Sequence, residues 1–334
     1  MKVLLTKPFF NTDIEYIKSK LNKQVEIILP ADFSEDAIIK VVPEVDVLFG
    51  AFITERLLEA AKNLKFIQVP WTGVDNLDFG LLKKHEVTIC NSHSNATVVA
   101  EHAVALMFDA AKKISYHDRL LRQGNWNRPK PDHSNEVSPF SQLISNSKVG
   151  IIGFGAIGKK IYQMLSGFSC QFKVFTKDSV GDYSLNQNIE VFSPEEKDKN
   201  LSDLDFVFIA IPLTDETKGA LNHTFFNSMS RKALIINISR GAVFNEKDLY
   251  NALFNKTIAG AAIDTWYNYP NKENPITYPS KQYDFHLLNN LVLSPHRAGF
   301  IDGSFPHLDD AIENLNRLAE GKRLINIISL DKKY

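Results

Sequence analysis

Three observations predict that this 334-residue chain folds as α/β, with two doubly wound parallel-sheet domains. Short apolar runs alternate with amphipathic stretches, the pattern of βαβ units in which each helix returns the chain to start the next parallel strand. The pattern pauses after residue 91 and restarts at Val149, so it occurs twice. At the restart, the apolar run 149–152 leads straight into Gly153-Phe154-Gly155-Ala156-Ile157-Gly158.

In the first half, strands are expected at 3–6, 25–29, 45–50, 66–69 and 87–91, with helices near 13–21, 35–41, 54–62 and 77–84. Residues 97–122, rich in alanine and leucine, read as one long helix joining the halves. Residues 124–148, polar and proline-containing, read as an exposed connector. Beyond Val149, strands are expected at 172–176, 205–211, 233–238, 258–263 and 291–293. Residues 205–211 are almost uniformly apolar, as suits a central strand covered on both faces. Helices are expected after Gly158, around 223–229 and across 245–255, and an amphipathic helix at 303–320 can return to the first half.

Each glycine of the central motif has a physical task at that spacing. Gly153 permits the tight turn off the strand, Gly155 lets backbone approach a pyrophosphate, and Gly158 lets the helix pack closely on the sheet. The helix N-terminus then points at the phosphates. Glycines also close ordinary turns, but the apolar strand before and the helical pattern at 159–165 favour dinucleotide binding. About 150 residues precede the motif, room for a separate domain that holds a substrate against the cofactor.

Composition narrows the class. Hydrophobic content of 44% and charged content of 23% are those of an ordinary globular enzyme. A net charge of -1 without long single-sign blocks argues against nucleic-acid binding. Cys90 and Cys170 form no ligand or redox spacing and read as buried structural thiols in a reducing compartment. Residues 1–5 are too short for a signal core, and no apolar run reaches the ~20 residues of a membrane span. A cytoplasmic protein is expected.

Two residues at strand ends could carry chemistry. Arg240 follows the run Leu234-Ile235-Ile236-Asn237-Ile238-Ser239, where its fork can bind a carboxylate bidentately. His296 follows Leu291-Val292-Leu293-Ser294-Pro295, where an imidazole can protonate a developing alkoxide near neutral pH. Taken singly, an ion-paired surface arginine and a structural histidine are the plainer readings. Trp71-Thr72-Gly73-Val74-Asp75 follows the expected strand at 66–69, and its successive amides either form an anion nest or start the next helix. Of the other histidines, His93 stands nearest a strand end.

With these motifs in this order, the chain resembles the D-isomer-specific 2-hydroxyacid dehydrogenase family over nearly its whole length. Val99-Ala100-Glu101-His102-Ala103, Ile211-Pro212-Leu213-Thr214-Asp215-Glu216-Thr217 and Gly260-Ala261-Ala262-Ile263-Asp264 add to the match. The resemblance implies a flavodoxin-like substrate domain from residues 1–98 and 300–334, a Rossmann NAD(P)-binding domain at 99–299, and a homodimer. It also implies a small-molecule 2-oxo or 2-hydroxy acid as substrate, glyoxylate or hydroxypyruvate being the size expected. By the same resemblance Arg240 binds and polarises the oxo acid, His296 exchanges the proton, and the amides of Gly73 and Val74 hold the substrate carboxylate; Trp71 is expected to bind substrate too, enlarging or blocking the pocket. Ala156 and Ile157 lie under the pyrophosphate, and Ile211, Pro212, Thr217, Ile238 and Asp264 line the nicotinamide and ribose. With the chain ending soon after the return helix, no regulatory domain is expected at the C-terminus.

The chain departs from the family at one catalytic position. Tyr269 stands before Pro270, where the family has a glutamate that keeps the histidine protonated. A phenol at neutral pH supplies only a neutral hydrogen bond, so Tyr269 is expected to orient His296 without charging it. Glu273 or Asp284 is the alternative partner, and packing alone is a further reading of the aromatic run 266–269. The coenzyme is likewise open: Asp178 at the end of the second Rossmann strand predicts NAD, Lys177 predicts NADP, and Thr176-Lys177 tilts the reading to NADP. The reading from another class is a dinucleotide-sensing, corepressor-like interaction protein with weak or no dehydrogenase activity.

Overall fold

The computed structural model describes residues 1–128, 141–177, 180–181, 183 and 186–334. They form two compact units, Met1–Asn95 with Ile301–Tyr334, and Ala96–Phe300.

The first unit alternates β1 (Lys2–Leu5), α1 (Asn11–Lys20), β2 (Glu26–Ile28), α2 (Glu35–Val41), β3 (Val47–Phe49), α3 (Glu55–Ala60), β4 (Phe66–Gln68), α4 (Phe79–Lys84) and β5 (Ile89–Cys90). Its sheet order is β2-β1-β3-β4-β5, parallel throughout. That is the flavodoxin-like order, with the chain reversing its direction of travel across the sheet between β1 and β3. Local chemistry sets the helix starts: Ser34, Thr54 and Asp78 accept the N–H groups of Ala37, Leu57 and Leu81.

The second unit begins with α5 (Ala96–Lys112) and α6 (Ile114–Arg122), followed by β6 (Lys148–Ile152), α7 (Ala156–Leu165), β7 (Gln171–Phe175), β8 (Ile189–Phe192) and β9 (Phe206–Ile209). Then come α8 (His223–Asn227), β10 (Leu234–Asn237), α9 (Glu246–Phe254), β11 (Gly260–Ile263) and β12 (Leu291–Leu293). The seven-stranded sheet runs β12-β11-β10-β9-β6-β7-β8, again parallel, with its reversal between β6 and β9. Phe206, Val207, Phe208 and Ile209 are all fully buried, because alternate residues of β9 enter two separate cores on the two faces of the sheet.

The last helix, α10 (Pro306–Ala319), belongs to the first unit, where Leu308, Ala311, Ile312 and Leu315 pack against Val3, Val47 and Phe66. The opposite face of that sheet buries Leu4, Leu48 and Ile67 under residues of α2, α3 and α4. Cys90 and Cys170 are buried and free, and burial pushes the Cys90 thiol up to about 12.

Three sequence expectations need correction. The helix at 97–122 is two helices, because Lys113 takes a left-handed conformation (φ 56°) and the Asp109 carboxylate accepts the Ser115 N–H at 2.7 Å, restarting the helix. Only α5 is held to a core; α6 buries no residue. The connector at 124–148 is not exposed throughout: Ile144 is buried and the Gln142 N–H donates to Ala111 O at 2.9 Å, while 129–140 lie outside the described residues. Finally, β8 was not anticipated. It is an edge strand with an exposed Val191, so its apolar signal is half that of the central strands.

Candidate active site

The glycine loop after β6 shows two kinds of glycine. Gly153 has φ 95°, and a Cβ on it would lie 2.4 Å from Ala210 O; one on Gly158 would lie 2.3 Å from Gly153 O. These two are dictated by backbone packing between the loop, the end of β9 and α7. Gly155 is different, since nothing lies within 4 Å of its Cβ position. No side chain caps α7, so the N–H groups of Ala156 and Ile157 are left at an open helix start beside an exposed Gly155. Open space, unspent donors and the positive end of a helix dipole fit a dinucleotide pyrophosphate.

Around this loop, β7 ends at Phe175, so Thr176 and Lys177 are the first residues beyond it. Lys177 forms an exposed ion pair with Glu216; Asp178 lies outside the described residues. Ile211 and Pro212 follow β9, and Ile238, buried, follows β10. The Thr217 hydroxyl donates to Pro212 O at 2.7 Å and accepts from Thr214 N at 2.8 Å, bracing the 212–217 loop.

Asp264, fully buried just after β11, ties three strand ends together. Its N–H donates to Asn237 O at the end of β10. Its carboxylate accepts the Ser294 hydroxyl and the N–H groups of Arg297 (2.8 Å) and Ala298 (3.0 Å), all just beyond β12. His102 Nε2, from α5, lies 2.9 Å from Ser294 Oγ and 3.5 Å from the same carboxylate. Burial pushes the Asp264 carboxyl up, but the bonds to His102, Ser294 and the two amides outweigh it and hold the group down at about 2. The stability this adds is present above the ordinary aspartate value and is lost as pH falls toward about 2. Asp264→Asn is therefore expected to cost about 2 kcal/mol at pH 7, a gap that closes on acidification. Urea titrations of both proteins at pH 7 and pH 3 check this, and a gap that does not narrow contradicts it.

The turn held by Asp264 carries His296 at φ 57°, a left-handed conformation that a non-glycine residue keeps only when its surroundings enforce it. His296 is exposed, and Tyr269 lies beside it, ring centroids 5.5 Å apart and tilted by 50°. The Tyr269 hydroxyl accepts the Trp266 N–H at 2.9 Å, and the buried Trp266 indole donates to Ser294 O at 2.8 Å. Within the aromatic run, Trp266 and Tyr267 sit against Phe285, while Tyr269, 43% exposed, lies beside the histidine ring. Glu273 and Asp284, the alternative partners, are exposed.

Arg240 stands after β10, the neighbour of β11. The fully buried Asn237 sets its backbone, donating to Arg240 O at 3.2 Å and accepting from Ser239 N at 3.0 Å, and one guanidinium nitrogen donates to Ser239 O at 2.9 Å. A Cβ on Gly241 would lie 2.6 Å from the Trp266 carbonyl carbon, so the loops after β10 and β11 touch backbone to backbone. Arg240, Tyr269 and His296 therefore rise from three adjacent strand ends of one sheet, at the edge where α/β sheets bind ligands.

In the first unit, the loop after β4 holds Trp71, Gly73 and Val74. It is pinned to the chain beyond β5 by Ser92 N to Trp71 O (3.2 Å), Asn91 Nδ2 to Thr72 O (2.7 Å) and the Thr72 hydroxyl to Ser92 O (2.8 Å). The N–H groups of Gly73 and Val74 have no acceptor among the described residues. His93 is held through its N–H by Asp310, and burial lowers its pKa. Sequence reasoning missed the roles of His102 and Ser294, whose only signal was membership of two of the motifs. It also missed Lys7, whose ammonium lies 4.3 Å from the centroid of the Trp71 ring.

Residues 104–298 match the family model of the D-isomer specific 2-hydroxyacid dehydrogenase NAD binding domain. A glycerate dehydrogenase of Methylorubrum extorquens is 30% identical over 270 residues, covering 79% of each chain. A D-3-phosphoglycerate dehydrogenase of Archaeoglobus fulgidus is 27% identical over 336 residues, which are 99% of this chain but 59% of that protein. The solved NADPH-dependent glyoxylate/hydroxypyruvate reductase of Sinorhizobium meliloti, in complex with NADP and sulfate, aligns with a TM-score of 0.79 over 100% of this chain and 99% of that one. At 19% identity this likeness concerns the fold. The chain belongs to the D-isomer specific 2-hydroxyacid dehydrogenase family.

Proposed function

We propose that the protein is an NAD(P)-dependent oxidoreductase that interconverts a small 2-oxo acid and the corresponding D-2-hydroxy acid. The observation that carries this reading is the rise of Arg240, Tyr269 and His296 from adjacent strand ends of the sheet that also bears the open glycine loop. When bound, the dinucleotide supplies or accepts the hydride. Ala156 and Ile157 hold its pyrophosphate through their N–H groups, and Gly155 leaves room for it. Arg240 grips the oxo acid and polarises the carbonyl to be reduced. His296 gives its proton to the developing alkoxide and takes it back in the oxidative direction. Asp264 holds the turn that aims His296, and Tyr269 orients the ring. In the first unit by itself, the unaccepted amides of Gly73 and Val74 suit a small anion.

NADP is the coenzyme this reading favours. Lys177 stands two residues beyond the end of β7, and its exposed pair with Glu216 is weak enough to yield to a phosphate. Oxidation of NADPH and NADH with glyoxylate and hydroxypyruvate tests function and coenzyme together. At least about tenfold higher kcat/KM with NADPH is expected, the worth of one charge-assisted contact. A preference for NADH overturns the coenzyme assignment. Coenzyme binding without turnover of any 2-oxo acid overturns the enzyme and leaves the dinucleotide sensor.

A further inference from the structure

A second histidine reaches the turn that carries His296, and the reaction proposed above gives it no task. His102 lies on α5, in the second unit, as do all the groups it meets. Its Nε2 stands 2.9 Å from Ser294 Oγ and 3.5 Å from the Asp264 carboxylate. The charge on Asp264 sets the direction of these bonds. That carboxyl is held down at about 2, so at neutral pH it has no proton to give, and the Ser294 hydroxyl donates to it. A serine hydroxyl has one hydrogen, so Ser294 Oγ can only accept from His102, and Nε2 must carry a hydrogen. The bonds therefore run in one direction, from His102 to Ser294 to Asp264.

Ser294 is tied at every polar atom. Its N–H donates to Ile263 O at 2.9 Å, its carbonyl accepts the Trp266 indole at 2.8 Å, and its hydroxyl both gives and takes. The residue is buried, so without the histidine hydrogen its oxygen loses an acceptor bond that water does not readily replace, and the hydroxyl is free to turn off Asp264. Pro295 follows, its φ set by the ring. Next comes His296 at φ 57°, and the Asp264 carboxylate takes the two amides after it, those of Arg297 and Ala298. One buried carboxylate thus clamps the left-handed residue from both sides. Among the described residues, His102 is the one member of this clamp that comes from a helix rather than from a strand end.

We propose that His102 is a positioning residue for His296: its Nε2 hydrogen locks the Ser294 hydroxyl onto Asp264, and the locked turn keeps the His296 imidazole oriented for proton transfer. His102 acts through Ser294 and Asp264. The proposal rests on His296 as the proton donor of the dehydrogenase reaction proposed above.

The test is reduction of glyoxylate and hydroxypyruvate with NADPH by the wild type, His102→Leu, His102→Gln, Ser294→Ala and the double variant His102→Leu/Ser294→Ala. His102→Leu is expected to lose about tenfold to a hundredfold in kcat, the scale of a misplaced catalytic group, while KM and the Kd of NADPH stay within about twofold. His102→Gln, which again brings an N–H to the end of a side chain, restores kcat to within about threefold. The double variant loses no more than Ser294→Ala alone, because the two groups act in series. Hydrogen exchange of the Arg297 and Ala298 amides should run about tenfold faster in His102→Leu and near the wild-type rate in His102→Gln. An unchanged kcat in His102→Leu overturns the proposal. So do equal losses in the Leu and Gln variants, a loss confined to KM or coenzyme binding, or additive losses in the double variant. Ser294→Ala with full kcat overturns it independently, so the test survives a His102→Leu protein that does not fold. Absence of turnover in the wild type is a separate result: it defeats the dehydrogenase reading, while the exchange rates at 297 and 298 still decide the clamp.

Discussion

Replacing His296 by asparagine is expected to lower kcat for 2-oxo acid reduction by about 10²- to 10⁴-fold, the usual worth of a positioned general acid. Coenzyme affinity should change little, because the glycine loop stands after a different strand, β6. His296 sits on a turn whose shape is set from below by Asp264, through the Ser294 hydroxyl and the Arg297 and Ala298 amides, so the imidazole itself is not needed to hold the backbone. A loss of activity at unchanged melting temperature is the expected signature. A drop of less than tenfold would place the proton donor elsewhere.

The same site yields a pH signature. A carboxylate beside an imidazole favours its charged form, whereas the neutral Tyr269 phenol, 5.5 Å from His296 between ring centroids, does not. With His296 as the proposed proton donor, reduction draws on the protonated ring, so the rate is expected to be full below the histidine pKa and to be lost as pH rises through it. Tyr269→Glu is expected to move that alkaline loss to higher pH. An unmoved profile in this variant refutes the orienting role assigned to the tyrosine.

Arg240→Lys is the second substitution with a large expected effect. It keeps the charge but replaces a rigid fork with a single flexible ammonium. Losing one arm of a bidentate grip on the oxo acid and the polarisation of its carbonyl should lower kcat/KM by about 10²- to 10³-fold, two contacts to a charged group at 1.5–3 kcal/mol each being partly retained. Asn237 sets the backbone of residue 240 whatever its side chain, so folding should be spared. The split matters: an effect confined to KM assigns Arg240 to binding alone, while a fall in kcat as well shows that it acts on the transition state. A change below tenfold refutes the clamp.

Much of the fold was legible because it is written in local pattern. Central strands such as β9 are continuous apolar runs, helix starts carry Ser34, Thr54, Asp78 and Asn245 as caps, and Gly153 and Gly158 are required by backbone contacts within a short span of chain. The positions of Arg240 and His296 could be read for the same reason, since a residue after an apolar strand stands at the edge of the sheet. The edge strand β8 and the break at Lys113 were harder. An edge strand is apolar on one face only, and the break depends on the Asp109 carboxylate reaching the Ser115 amide rather than on a glycine or proline.

Taken by itself, the amino-acid sequence determined the two parallel sheets, the site of the glycine loop, and the arginine and histidine at strand ends. Only the tertiary structure decided what those residues stand on. His102 and Ser294 are 192 positions apart, yet both meet the buried Asp264 that shapes the histidine's turn. Lys7 and Trp71 are brought face to face by strands β1 and β4, which are not even neighbours in their sheet. Periodicity reports which face of an element is buried. The partner of a buried carboxylate or a half-buried ammonium is set by which strand ends come together, and that follows from the order of strands in the sheet.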